Sequence, residues 1–342
     1  MNQMNHNHTS ATDWRTQIRK NQHRTHWVIF IFFMIYLGLG LLIDTMLYAE
    51  HSYVPISTIF YALITLKLFP IATLITLAVA AFSLLVSRWF SDRIMLLGTD
   101  YKQITPDTAT SLVEKQLYNV VEEMKVAAGL RFMPRVYIID ANYMNAFASG
   151  LSEKSAMVAI TRGLLEKLDR SELQAVMAHE LSHIRHEDIR LTMTASVLSN
   201  MILIVIDILF YNMIYGGERK REDNRFFIIV LILRFVMPII TILLMLYLSR
   251  TREYMADSGC VELMRDNTPL GRALIKIHQD HQTNINEYRQ EYGQTAHEDV
   301  RRAAYLYDPV STGADPVKSI SSMFSTHPNL EQRLRAIGFH KE

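Results

Sequence analysis

Four apolar stretches decide what this chain can fold into. Trp27 to Ile43 carries no charge, lies between Arg24 and Asp44, and with Thr45 to Tyr48 reaches the roughly 20 residues that a helix needs to cross a bilayer. Leu68 to Val86 is the second run, closed by Arg88, with a further apolar stretch from Ile56 to Leu66 ahead of it, so its start is open by a turn or two. Leu191 to Tyr215 and Phe226 to Leu248 are the third and fourth. The leader, residues 1–26, is long and polar, the first run exceeds the apolar core of a signal peptide, and no A-x-A site follows it. A retained anchor is expected, and about four transmembrane helices in all.

The rest of the composition fits an integral membrane protein with a folded polar part. The chain has 342 residues, about two domains' worth of sequence. Hydrophobic residues make up 49% and charged residues 20%, and 35 Lys and Arg nearly cancel 34 Asp and Glu. This excludes an extended disordered tail protein and gives no basic excess for nucleic acid. Cys260 is the only cysteine, so an intrachain disulfide and a cysteine-rich metal site are both excluded, and a metal would have to be held by His and carboxylate.

Loop charges set the expected orientation. Arg15, Arg19, Lys20 and Arg24 precede the first run, no Lys or Arg follows it before Lys67, and Arg88, Arg93 and Lys102 come after the second. The positive-inside rule puts the leader and everything after Arg88 in the cytoplasm. Lys67 reads as a residue snorkelling to the outer interface rather than as a functional charge.

From Asp100 to His186 the composition becomes that of a soluble α+β module. Pro106 to Leu130 has helical spacing, with Leu112, Leu117, Val120, Val121, Met124 and Ala127 on one side. Strand-like runs follow at Arg135 to Ile139, Met144 to Ala148 and Met157 to Thr161, the last a candidate edge strand. Asp169 or Ser171 can then cap a helix, with Glu172 or Gln174 completing a capping box.

That helix carries the run Ala178-His-Glu-Leu-Ser-His-Ile184. Positions i and i+4 share a helix face, so His179 and His183 present two imidazoles that can hold one ion. Imidazole nitrogen suits zinc, and the pKa of a water held at such a site falls to about 7, within reach of Glu180 as base. The pattern H-E-x-x-H alone recurs by chance on helix surfaces and needs a third ligand. Glu253 is placed there: Ser249-Arg-Thr-Arg-Glu-Tyr-Met-Ala-Asp257 reads as a helix with Glu253 and Asp257 at i, i+4, one carboxylate for the metal and one to orient a ligand imidazole. Taken without the first motif, the same run reads as a solvated acidic face paired with Arg250 and Arg252.

With these residues in view, the chain resembles the HtpX family of integral-membrane zinc metallopeptidases, gluzincins related to the CaaX prenyl endopeptidases. The resemblance covers about Met133 to Arg335: Asn145-Ala-Phe-Ala-Ser-Gly150, the His179 to His183 motif, Ser249-Arg with Glu253 to Asp257, and Ser325-Thr-His-Pro328. It implies a zincin-like α+β peptidase domain, mainly helical and interrupted by transmembrane helices. One zinc ion per chain would be held by His179, His183 and Glu253, with Glu180 as the base. The resemblance also implies that Asn145 and Ala146 contact substrate backbone, with Met157 to Thr161 as the neighbouring strand, and that His327 and Arg333 form a transition-state pair. For His327 a helix N-cap before Pro328 is the other reading. Asn329 departs from the proline many relatives carry there. Proteolytic quality control of damaged or misassembled membrane proteins in a bacterial inner membrane is implied as well.

The expected organisation is a leader at 1–26, two transmembrane helices at 27–88, a first catalytic part at 100–190, a hydrophobic hairpin at 191–248 and a second catalytic part at 249–342. If Glu253 joins the histidines on one ion, the hairpin crosses twice or not at all. Its lengths favour two crossings, although Arg219, Lys220, Arg221 and Arg225 in its loop oppose export. Asp207 and Arg234 fall at nearly equal depth in its two arms and are expected to pair, or else to line a wet cavity. His278 and His281 are expected on the solvated face of a polar helix from Arg272 to Tyr292, and Cys260 as a small core residue. His6, His8, His23 and His26 in the leader carry no metal pattern, Asn284 to Pro309 shows no catalytic pattern, and nothing in the chain speaks to oligomeric state.

Three rivals remain. A site-2-type intramembrane protease would bury H-E-x-x-H in an apolar helix, but Arg185, His186, Glu187 and Asp188 follow at once. An inactive or latent scaffold or chaperone-like binder would lack a ligand or the base. A transporter would rest on Asp207 and Arg234 alone.

Overall fold

The computed structural model describes residues 14–50, 54–150, 152–215, 224–294, 301, 304–309 and 327–339. The basic hairpin loop 216–223 and Ser325-Thr326 lie outside them. The elements run α1 (Trp14–Glu50), α2 (Ile56–Ile64), α3 (Ile71–Leu96), β1 (Tyr101–Ile104), α4 (Leu112–Ala128), β2 (Arg135–Ile139), β3 (Ala146–Ser149), β4 (Met157–Thr161), α5 (Arg162–Lys167), α6 (Arg170–His186), α7 (Asp188–Tyr215), α8 (Asn224–Met264), α9 (Thr268–Thr283), α10 (Ile285–Gln294) and α11 (Leu330–Ala336). The chain divides into two units: residues 26–91 with 192–248, and residues 1–25, 92–191 and 249–342.

The first unit is apolar. His26–Ala49, Asp188–Ile214 and Phe226–Met264 are long and apolar enough to cross a membrane, and Ile71–Leu85 is a shorter apolar helix. Large side chains such as Phe30, Phe33, Phe82, Phe235 and Leu243 stand exposed, as a lipid-facing surface requires. Several polar groups inside this unit are partnered. The Asp44 carboxylate accepts from the backbone N–H of Ala72 and Thr73 and from the Thr73 hydroxyl, so α1 caps the start of α3. Tyr36 donates to the Leu198 carbonyl at 2.9 Å. Arg234 Nε lies 3.3 Å from Asp207 Oδ1, with its guanidinium over the Phe210 ring, so the two intramembrane charges of the hairpin do pair.

The second unit is built on a four-stranded sheet of order β1-β2-β4-β3, in which β2 and β4 are parallel and the other pairs antiparallel. Strand β4, expected as an edge, is interior; the edges are β1 and β3, and β3 begins at Ala146 rather than Met144. Strand β1 at Tyr101–Ile104 carries no clear alternation and is a fourth member that the pattern of apolar residues does not announce. Both faces of β2, β3 and β4 are buried, while β1 is largely exposed. Tyr137, Ile139, Phe147, Met157 and Ala159 join Tyr143, Tyr288, Tyr292 and Tyr305 in one core, while Val136, Ile138, Val158 and Ile160 point the other way and are buried too.

Helix α4 starts at a Ser111–Glu114 capping box and stops at left-handed Gly129, which trims the expected helix at both ends. The polar helix expected from Arg272 to Tyr292 is two helices, broken at Asn284, and His281 is not solvated but fully buried. One face of α9 packs against α6, and the His281 ring is covered by Tyr288, Tyr292 and Tyr307.

Candidate metal centre

Asp169 starts α6 by accepting the Glu172 N–H at 2.8 Å, while the Glu172 side chain accepts the Asp169 N–H at 3.0 Å. From Leu173 onward nearly every residue of α6 is buried, so the H-E-x-x-H helix runs through the interior of its unit. Helix α8 crosses it at close range. A Cβ on Gly259 would fall 2.6 Å from Ser182 Oγ, and the Cys260 thiol donates to the Ala175 carbonyl at 3.1 Å. Only glycine permits this approach, and the approach brings the Glu253 turn of α8 over His179 and His183.

His179 Nε2 and His183 Nε2 lie 3.2 Å apart. Glu253 Oε2 is 3.5 Å from the first and Oε1 is 3.7 Å from the second. One ligand atom from each residue falls within 4.8 Å of the others. Two nitrogens bound tetrahedrally to zinc at 2.0–2.1 Å stand about 3.3 Å apart, so the cluster has the right dimensions and an N2O donor set.

The outer nitrogens are held by carboxylates. His179 Nδ1 lies 3.0 Å from Asp257 Oδ1, and His183 Nδ1 lies 3.1 Å from both Asp188 oxygens. A carboxylate accepts, so each Nδ1 carries a proton, and Nε2 is the atom each ring turns toward the cluster. Asp188 reaches His183 because Glu187, in the left-handed region at φ 53°, breaks the chain between α6 and α7. Sequence spacing missed Asp188, since nothing local marks that break. Burial opposes charge on His179, but Asp257 and Glu253 outweigh it and lift its pKa to about 9. Glu180 is fully buried, neither of its oxygens has a hydrogen-bond partner among the described residues, and burial raises its pKa.

A second ring of residues surrounds these. Arg252 places Nη2 3.2 Å from Glu253 Oε1. His327 Nδ1 is 3.2 Å from Glu253 Oε2, and it is not a helix cap: Asn329 caps α11 by accepting the Gln332 N–H at 2.8 Å. The residue that departs from proline therefore has a local task of its own. Arg333 grips Asp257 through Nε at 2.9 Å and Nη2 at 2.6 Å, and its Nη1 donates to the Leu306 carbonyl. Asn145 and Ala146 stand at the start of the edge strand, both buried, with Asn145 N–H donating to the Thr161 hydroxyl at 2.9 Å.

The sequence profile of Peptidase family M48 matches residues 111–339. The chain belongs to peptidase family M48. A protease HtpX homolog of Helicobacter pylori is 39% identical over 95% of this chain and 98% of its own length. Another, of Streptococcus uberis, is 31% identical over 94% of this chain and 98% of its own length. A crystal structure of Ste24p from S. mikatae aligns with a TM-score of 0.46 and 20% identity, covering 78% of this chain and 57% of that one. As an M48 member of the HtpX type, the chain is a membrane zinc endopeptidase acting on polypeptides. The scaffold, site-2 and transporter readings give way to it.

Proposed function

We propose that one zinc ion per chain sits on Nε2 of His179, Nε2 of His183 and the Glu253 carboxylate, and that the enzyme hydrolyses unfolded or damaged membrane proteins at the cytoplasmic face of a bacterial inner membrane. The observation that carries this reading is Glu180: a buried carboxylate with two unpartnered oxygens, one residue along from a metal-sized cluster. Such a group is costly unless a ligand or a reacting molecule meets it. Zinc held there supplies Lewis-acid polarisation of the scissile carbonyl and a lowered pKa for water.

The chain's own residues do the rest. Glu180 takes the proton of the attacking water and returns it to the leaving amine, and its raised pKa suits both halves of that exchange. His327, against Glu253, is placed to donate to the developing oxyanion. Arg333 acts through Asp257, which orients His179. Asn145 and Ala146, at the start of the edge strand, are assigned to the backbone of an extended substrate. With the leader at 1–26, paired spans at 27–88 and 191–248, and the split catalytic part at 100–190 and 249–342, all of these share the side of the basic leader and of Arg88, Arg93 and Lys102. The test is metal content and casein cleavage in purified wild type and Glu180→Gln. One zinc in both with cleavage only in wild type supports the reading; absence of bound metal overturns it.

A further inference from the structure

The outer edge of β3, the strand next to α6, is taken by the chain itself. Tyr305 pairs antiparallel opposite Phe147, and the Leu306 N–H donates to the Ala146 carbonyl at 2.8 Å. Asn145 clamps the next residue from both sides: Oδ1 accepts the Tyr307 N–H at 3.2 Å, and Nδ2 donates to the Tyr307 carbonyl at 2.9 Å. The Leu306 carbonyl accepts from Arg333 Nη1 at 2.6 Å, and the same guanidinium holds Asp257 beside His179. Tyr305, Leu306 and Tyr307 are all buried. One bridged residue, Tyr305, and the two residues that bend away after it are thus held through their backbone by Asn145, Ala146 and Arg333. That is how an added strand is recognised at a sheet edge, and two peptides cannot share one edge.

We propose that Tyr305-Leu306-Tyr307 is the internal occupant of the substrate track, so that the folded enzyme is latent until a polypeptide with an aromatic–leucine–aromatic segment displaces it. This rests on the peptidase reading above. The side chains of a competing peptide enter the places these three fill, which makes large apolar and aromatic residues the preferred substrate class.

The test uses the full-length, zinc-loaded protein in detergent and a fluorescent peptide Ala-Ala-Tyr-Leu-Tyr-Asp-Pro, the sequence of residues 303–309. Leu306→Pro removes the N–H that bonds Ala146. In a Glu180→Gln background, which binds without turnover, it should tighten peptide binding at least tenfold; with Glu180 restored it should raise kcat/KM on casein by a similar factor. Unchanged binding in a folded, metal-loaded Leu306→Pro protein overturns the proposal. A second variant does not depend on the proline being tolerated. Phe147→Cys with Tyr305→Cys places two thiols at a non-hydrogen-bonded antiparallel pair, where Cα atoms stand about 4.5 Å apart and a disulfide can form. Oxidation should abolish peptide binding and reduction restore it; equal binding in both states sinks the idea. If no variant cleaves casein while peptide binding follows the strap, the peptidase reading fails and the strap stands.

Discussion

Asp188 closes both carboxylate oxygens on Nδ1 of His183, at 3.1 Å each, across a helix break that only the left-handed Glu187 makes possible. The contact fixes the tautomer of a proposed zinc ligand from outside the centre. Asp188→Asn should therefore lower zinc affinity about 10–100-fold, measured by chelator competition, without unfolding the chain. Unchanged affinity would reduce the contact to packing.

Glu180→Gln should keep the metal and lose hydrolysis by a factor on the order of 10² to 10⁴. His183→Ala should lose metal and activity together. Metal analysis beside a cleavage assay separates the two, and a Glu180→Gln protein that still cleaves casein would remove the base from the mechanism.

Arg333 and Asp257 form a buried bidentate pair. Arg333→Ala removes both guanidinium contacts from the buried Asp257 charge and should cost about 3–5 kcal/mol of stability, read from denaturant unfolding. Arg333→Lys, which cannot make both contacts, should fall between the two.

His281 donates from Nδ1 to the Ile277 carbonyl, and in the neutral ring that burial favours Nε2 accepts from the Tyr292 hydroxyl. Burial holds its pKa down at about 4 against a usual 6.5. Below pH 6.5 the unfolded chain takes up a proton that the folded chain refuses. Stability present above that pH is thus lost as pH falls towards 4, by up to about 3 kcal/mol. His281→Gln should flatten this part of the pH–stability curve; an unaltered slope would place the titration elsewhere.

Asp207 and Arg234 should behave as a coupled pair. Exchanging them, Asp207→Arg with Arg234→Asp, should restore much of the thermal stability lost by either neutralisation in detergent. Strictly additive losses would show that the pairing contributes nothing.

Features of the chain that depend on near neighbours were legible without a structure. The i, i+4 spacing put His179 and His183 on one helix face, a cap at Asp169 or Ser171 marked the helix start to within two residues, and apolar run length marked the membrane helices. Arg135–Ile139 and Met157–Thr161 were legible as strands for the same reason. Each rests on interactions within about one helical turn or one strand.

What the tertiary structure alone decided depends on distant partners. Strand order is one case: β4 is buried on both faces and so is β3, so no alternation distinguishes an interior strand from an edge. His281 looked solvated because polar neighbours surround it in the chain, and it is buried because Tyr288, Tyr292 and Tyr307 close over its ring. Asp188 meets His183 through a backbone break, and Leu306 meets Ala146 across 160 positions of sequence. Loop closure and cooperative packing choose among such contacts, and short-range periodicity carries no record of that choice.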